Sequence, residues 1–153
     1  MRIKNGITTF TKWVYDNIHY IILIAFAGAV FTILGYTLYV AQVDTNAINR
    51  AYDTMNRGNY TSAIEQFQAI LDKQKEYGTM FESHKIIREA KEGLESASTL
   101  YHYNSGLEFY AKEQYMDALY HFGQVIDYRD SFELFQQCLD AYTLTYYNQH
   151  APG

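Results

Sequence analysis

Proline is nearly missing from this chain: the one copy, Pro152, is the penultimate residue. Proline is the strongest helix breaker, so nothing before that position prevents helix along the chain. Cysteine is as scarce. Cys138 is alone, which excludes an intramolecular disulfide and a cysteine-based zinc site. A lone thiol fits either side of a membrane. Basic residues run short in the second half. Residues 92–153 contain Lys112 and Arg129 against nine acids, whereas 44–91 hold seven bases and seven acids. No basic stripe of the kind that binds nucleic acid is present.

Chemical motifs are missing too. His19, His84, His102, His121 and His150 form no HExxH pair or other metal-ligand spacing. Asp117 and His121, four apart, read as a surface hydrogen-bonded pair. There is no glycine-rich phosphate loop and no G-x-S-x-G elbow. Cys138 sits among Gln136, Gln137 and Asp140, with no cation to favour a thiolate. Asn59-Tyr60-Thr61 is formally a glycosylation sequon, but Asn59 reads better as a helix cap. No catalytic residue, metal site or cofactor is therefore expected, and an enzyme is not expected.

What the chain has is apolar and aromatic. Apolar residues make up 48% against 19% charged, a composition that folds. Residues 20–43 contain no Asp, Glu, Lys, Arg or His. As a helix this run would extend roughly 36 Å, enough to cross a bilayer core of roughly 30 Å. Trp13, Tyr15 and Tyr20 flank one end and Tyr36 and Tyr39 the other, the places that interfacial rings favour. The alternatives are a buried core helix and a cleaved signal peptide. The run is long for either, and Tyr39-Val40-Ala41 is a poor cleavage site, so the expectation is an uncleaved anchor. Arg2, Lys4 and Lys12 precede it, and Arg50 and Arg57 follow. This bias favours a cytoplasmic N-terminus, residues 1–19, and an extracytoplasmic domain. Ala25, Gly28, Ala29 and Thr32 put small residues near one face, a pattern compatible with helix–helix contact in lipid and with assembly into an oligomer or complex.

The domain that follows, 44–148, carries an internal repeat. GNYTSAIEQFQAIL at 58–71 aligns with EQYMDALYHFGQVI at 113–126. Tyr60 matches Tyr115, Ala63 matches Ala118 and Phe67 matches Phe122, on one helical face in both copies. Each copy follows another apolar-periodic stretch: Ala47, Ile48, Ala51, Tyr52 and Met55 before the first, and Leu100, Tyr103, Leu107 and Tyr110 before the second. Gly58 suits the left-handed end of one helix and Asn59 the cap of the next. The reading is two helical hairpins, about 44–77 and 99–128. Residues 78–98 form a weaker helical face, either an inserted helix or an extension of the second hairpin. Asp130-Ser131-Phe132-Glu133 looks like a capping box opening a closing helix over about 130–147. Phe132, Phe135, Leu139 and Tyr142 fall on one face of that helix. Its polar side would close the stack.

These residues resemble the tetratricopeptide repeat family. Gly58-Asn59-Tyr60, Ala63 and Phe67 carry the likeness in the first hairpin, and Gly106, Phe109, Tyr115, Ala118 and Phe122 in the second. The copies lie 55 residues apart, against a family period of 34. The resemblance implies an all-α fold: one N-terminal transmembrane helix, then a short helical-hairpin solenoid. It also implies a concave face lined by the first helix of each hairpin. Carried over, that face is Ile48, Tyr52, Met55 and Asn56, then Tyr103, Asn104, Leu107 and Tyr110. Residues 101–147 hold nine tyrosines amid acidic surroundings. Such a surface suits a protein or peptide partner, a basic one in particular. The expected function is a membrane-anchored interaction scaffold; the alternative is an accessory structural subunit of a larger membrane complex.

Overall fold

A computed structural model describes residues 12–81 and 83–150. Among them there is helix and no strand. Five helices follow a short helical stretch at 12–16: α1 (Ile18–Asn56), α2 (Tyr60–Phe81), α3 (His84–Ala111), α4 (Tyr115–Gln124) and α5 (Ser131–His150). The chain divides into two compact units, Met1–Val43 and Asp44–Gly153.

The first unit contains the apolar part of α1. α1 is long and apolar enough to cross a membrane, with a mean hydropathy of 2.3 over its best window, and none of that window is buried. Ile22, Leu23, Ile24, Phe26 and Phe31 are all exposed. The buried-core alternative does not describe this segment.

The second unit is built as two three-helix layers that share α3. In the first, Ile48 and Ala51 of α1 pack with Ala63, Phe67 and Ile70 of α2 and with Ile86, Ala90 and Ala97 of α3. In the second, Tyr103 of α3 packs with Ala118 and Phe122 of α4 and with Cys138 of α5. The 55-residue offset survives in the packing. Ile48 and Tyr103, Ala51 and Gly106, Ala63 and Ala118, and Phe67 and Phe122 are all buried pairs. Removing either fully buried phenyl ring should cost about 3–5 kcal/mol.

The turns repeat as well. Gly58 has φ +81, its N–H donates to Met55 O, and Asn59 N–H donates to Thr54 O. This is the paired closure of a left-handed helix end. Asn59 Oδ1 then accepts from Ser62 N–H as the cap of α2. In the second copy Glu113 stands at the equivalent place with φ +58. The N–H groups of Glu113 and Gln114 reach Tyr110 O and Phe109 O in the same way.

Residues 78–98 are not a separate inserted helix. Residues 78–81 end α2, and from His84 the chain runs into the second hairpin without a break. Ser83 starts α3 by accepting from Ile86 N–H, and Gly93 does not interrupt it. Gly93 is there for space: a Cβ would lie 2.4 Å from the Phe67 ring. Gly106 makes the same room for Phe122, where a Cβ would lie 2.7 Å away.

Two buried polar side chains, Asp44 and Gln74, tie the first layer. Asp44 accepts from Lys73 Nζ at 3.0 Å and from the Gln74 amide. Gln74 Oε1 accepts from Ser83 N–H at 3.0 Å. One glutamine thereby joins the three helices of that layer.

Candidate functional site

Helical pairs bury their matching stripes first, and what stays uncovered is available to a partner. Most of the eight residues implied by the repeat resemblance are not uncovered. Ile48 is buried, and Tyr52 and Met55 pack against the first core. The Tyr52 hydroxyl donates to Glu89 O at 3.2 Å, and its ring meets Phe67 edge-on. Burial, and then Glu92 and Glu89, push its pKa up. Tyr103 is 8% exposed, and its hydroxyl donates to Asp130 Oδ1 at 2.7 Å. The Arg129 guanidinium lies 5.3 Å from the Tyr103 ring. Leu107 and Tyr110 pack against the second core, and the Tyr110 hydroxyl donates to Gln137 Oε1 at 3.2 Å. Asn56 and Asn104 are exposed, and the Asn104 amide turns back to Leu100 O. Of the eight, Ile48 and Tyr103 are buried, Tyr52, Met55, Leu107 and Tyr110 are half-buried, and Asn56 and Asn104 are exposed.

An open furrow runs instead along another side of the first hairpin. It has a volume of about 500 Å³ and is lined by Asp44, Ala47, Arg50, Asp53 and Thr54 of α1, by Arg57 just past its end, and by Gln66, Ala69, Ile70 and Lys73 of α2. Three bases face two acids there, Asp44 and Asp53. In the second hairpin the positions of Ala47 and Gln66 are taken by His102 and His121, 55 residues on, and these two rings close on each other. Their Nδ1 atoms are 3.0 Å apart, within hydrogen-bond distance, with ring centroids 5.1 Å apart. Phe109 stacks on His121 at 5.3 Å, and Tyr101 meets it edge-on. Burial lowers the pKa of both histidines. His102 is lowered further by His121, and His121 is partly offset by Asp117. His121 is 8% exposed, so the expected surface pair with Asp117 gives way to a buried one with His102.

Among the described residues no three His, Cys, Asp or Glu side chains cluster as a metal site. Cys138 is buried, and burial pushes its thiol pKa up, away from a nucleophilic thiolate.

The feature that stands out is α5. The sequence suggests that Phe132, Phe135, Leu139 and Tyr142 face the core. The buried face is instead Ser131 and Cys138, with Leu134 and Phe135 at its edge. The Ser131 hydroxyl is buried with no hydrogen-bond partner, and Asp130 directs its carboxylate to Tyr103. The stronger apolar stripe lies beside the core and open: Phe132 is 54% exposed, Leu139 42% and Tyr142 38%, with Leu144, Tyr146 and Tyr147 also exposed. Alongside it α5 also exposes polar residues, Glu133, Gln136, Gln137, Asp140 and Thr143 among them. The spacing 132, 135, 139, 142, 146 alternates three and four, the pattern of a seam between two helices.

α3 provides an internal control. Counting from Ser83 and from Ser131, the buried Ala90 and Cys138 are equivalent. On that register His84 and Lys91 of α3 stand where α5 has Phe132 and Leu139, while Ile87 and Leu94 stand where it has Phe135 and Tyr142. Two of the four stripe positions are thus polar in α3 and two are apolar in both helices.

No protein-family model, curated protein or solved structure matches the chain.

Proposed function

We propose that this chain is a membrane-anchored interaction module of tetratricopeptide-like build, which holds a protein partner on α5. The anchor is the apolar part of α1. The excess of Lys and Arg before it supports a cytoplasmic N-terminus and an extracytoplasmic domain. The carrying observation is the open Phe132–Leu139–Tyr142 stripe on α5. Soluble domains avoid contiguous exposed apolar surface unless something covers it. The paired hairpins serve as the rigid support, with their own tyrosines satisfied inside.

The same stripe also fits an accessory subunit whose α5 is permanently covered within a larger membrane complex. The aromatic and aliphatic character of Phe132, Leu139 and Tyr142 favours that second reading, because lasting interfaces are more apolar than transient ones.

Photo-crosslinking in native membranes tests the proposal. A benzophenone amino acid replaces Tyr142 in the full chain, and Thr61, exposed on α2, serves as the control position. A protein adduct formed from 142 and not from 61 is expected. Equal adducts from both, or none from 142, would reject docking on α5. An adduct yield that survives dilution of the solubilised membranes before irradiation favours the subunit reading.

A further inference from the structure

The contact between His102 and His121 ties the second half of α3 to the last turn of α4. Two Nδ1 atoms 3.0 Å apart need one hydrogen between them: one ring donates its N–H, and the other accepts with a bare nitrogen. The accepting ring carries its own hydrogen on Nε2. The next proton that this ring takes therefore has one place to go, the Nδ1 atom in contact.

The neighbours set the order of protonation. Asp117, exposed one turn before His121 on α4, favours charge on that ring, as do the free carbonyls of a helix end. On His102, burial and then His121 itself act, both against charge. Rings make up the closest surroundings: Phe109 and Tyr101 of α3, and Tyr120 of α4. From α5, the titratable group packed into this layer is the Cys138 thiol, which burial keeps protonated. Arg129 and Asp130, just before α5, are engaged with Tyr103. α2 packs on the earlier part of α3, at Ala90, Gly93 and Ala97. A first proton thus settles on His121, which then donates to His102 and strengthens the contact. A second proton enters His102 at Nδ1, and two cations then meet N–H to N–H.

The first layer lacks this device, since Ala47 and Gln66 stand at the same places 55 residues earlier. α4 has ten residues, too few to persist as a helix without its packing. We propose that the His102–His121 contact is a proton-operated latch: as pH falls from about 7.5 to about 5.5, α4 comes away from α3 while the first layer stays closed. This is a local opening, distinct from unfolding of the whole domain, and it is independent of what docks on α5.

Hydrogen exchange read by mass spectrometry tests the latch on the full chain in mild detergent. Rates at about pH 7.5 and about pH 5.5 are each divided by those of the urea-unfolded chain at the same pH. Protection of residues 115–124 should fall about ten-fold, the effect of one site that stays empty in the closed form and titrates near 6.5 in the open one. Protection of residues 60–71 should hold. His102→Ala/His121→Gln, which installs the residues of the first layer, should keep α4 protected at both pH values. His102→Gln, which removes the site of the second proton and keeps a polar side chain, should behave alike. Circular dichroism at neutral pH checks that each variant is folded. Equal losses in the two segments of the unaltered chain, no loss in 115–124, or the same selective loss in a folded variant would each overturn the latch.

Discussion

Gln74 and Asp44 are bound to each other inside the first layer, the glutamine amide donating to a carboxylate that is 2% exposed. The same glutamine takes Ser83 N–H on its other side, so its loss would affect the start of α3 as well as the carboxylate. Gln74→Leu should destabilise the full chain by about 2–3 kcal/mol, because it leaves a buried carboxylate with one partner fewer. Lys73→Met should cost much less, since the lysine is 42% exposed and water can replace it. Urea unfolding in mild detergent, followed by circular dichroism, separates the two variants. Equal losses would contradict this account.

The two equivalent turns differ in one residue, and that difference has a sign. Glu113 has the left-handed φ that Gly58 adopts without strain. Glu113→Gly should stabilise by about 1 kcal/mol, and Gly58→Ala should destabilise by a similar amount. Shifts of the unfolding midpoint in opposite directions are expected. A destabilised Glu113→Gly chain would mean that its side chain contributes something the turn geometry does not account for.

Gly93 and Gly106 are sites of close ring approach. Gly93→Ala should cost about 1–3 kcal/mol by forcing the buried Phe67 ring out of place, despite the better helix propensity of alanine. Gly93→Ala combined with Phe67→Leu should lose less than the two single losses added together. Strict additivity, measured in a double-mutant cycle, would argue against direct contact.

Much of this arrangement was legible in the sequence. Ala63 with Ala118 and Phe67 with Phe122 stand out as a repeat, and their burial follows from helical spacing. Gly58-Asn59 announces its turn. Other features were not legible, for physical reasons. Tyrosine suits both a core and a binding face, so spacing alone does not reveal that the Tyr103 hydroxyl is held by Asp130. On α5 the apolar stripe is stronger than the Ser131–Leu134–Cys138 face that is buried, and hydrophobicity marks both stripes without saying which one the domain covers. His102 and His121 are 19 residues apart, beyond any local pattern. The 55-residue offset was the available signal, since it maps them onto Ala47 and Gln66, which line one furrow.

The histidine pair should make stability depend on pH in one direction. Both pKa values are lowered in the folded domain, so below about 6.5 the unfolded chain binds more protons than the folded one. Stability is then full above the unfolded value and lost as pH falls through the lowered folded values. A second proton between the facing Nδ1 atoms would also break their contact. The unfolding midpoint should drop between pH 7.5 and 5.5, and His102→Asn/His121→Asn should drop less over the same interval. An equal drop in both proteins would place the sensitivity elsewhere.

The central claim is that α5, and not the furrow of the first hairpin, holds the partner. Its most direct measurement is quantitative co-purification in mild detergent of three full-length chains: unaltered, Leu139→Ser/Tyr142→Ser, and Arg50→Ser/Arg57→Ser. All four positions are exposed, so each variant should remain folded. The account predicts a partner that is lost from the α5 variant and kept by the furrow variant. A partner kept by the α5 variant and lost from the furrow variant would contradict it.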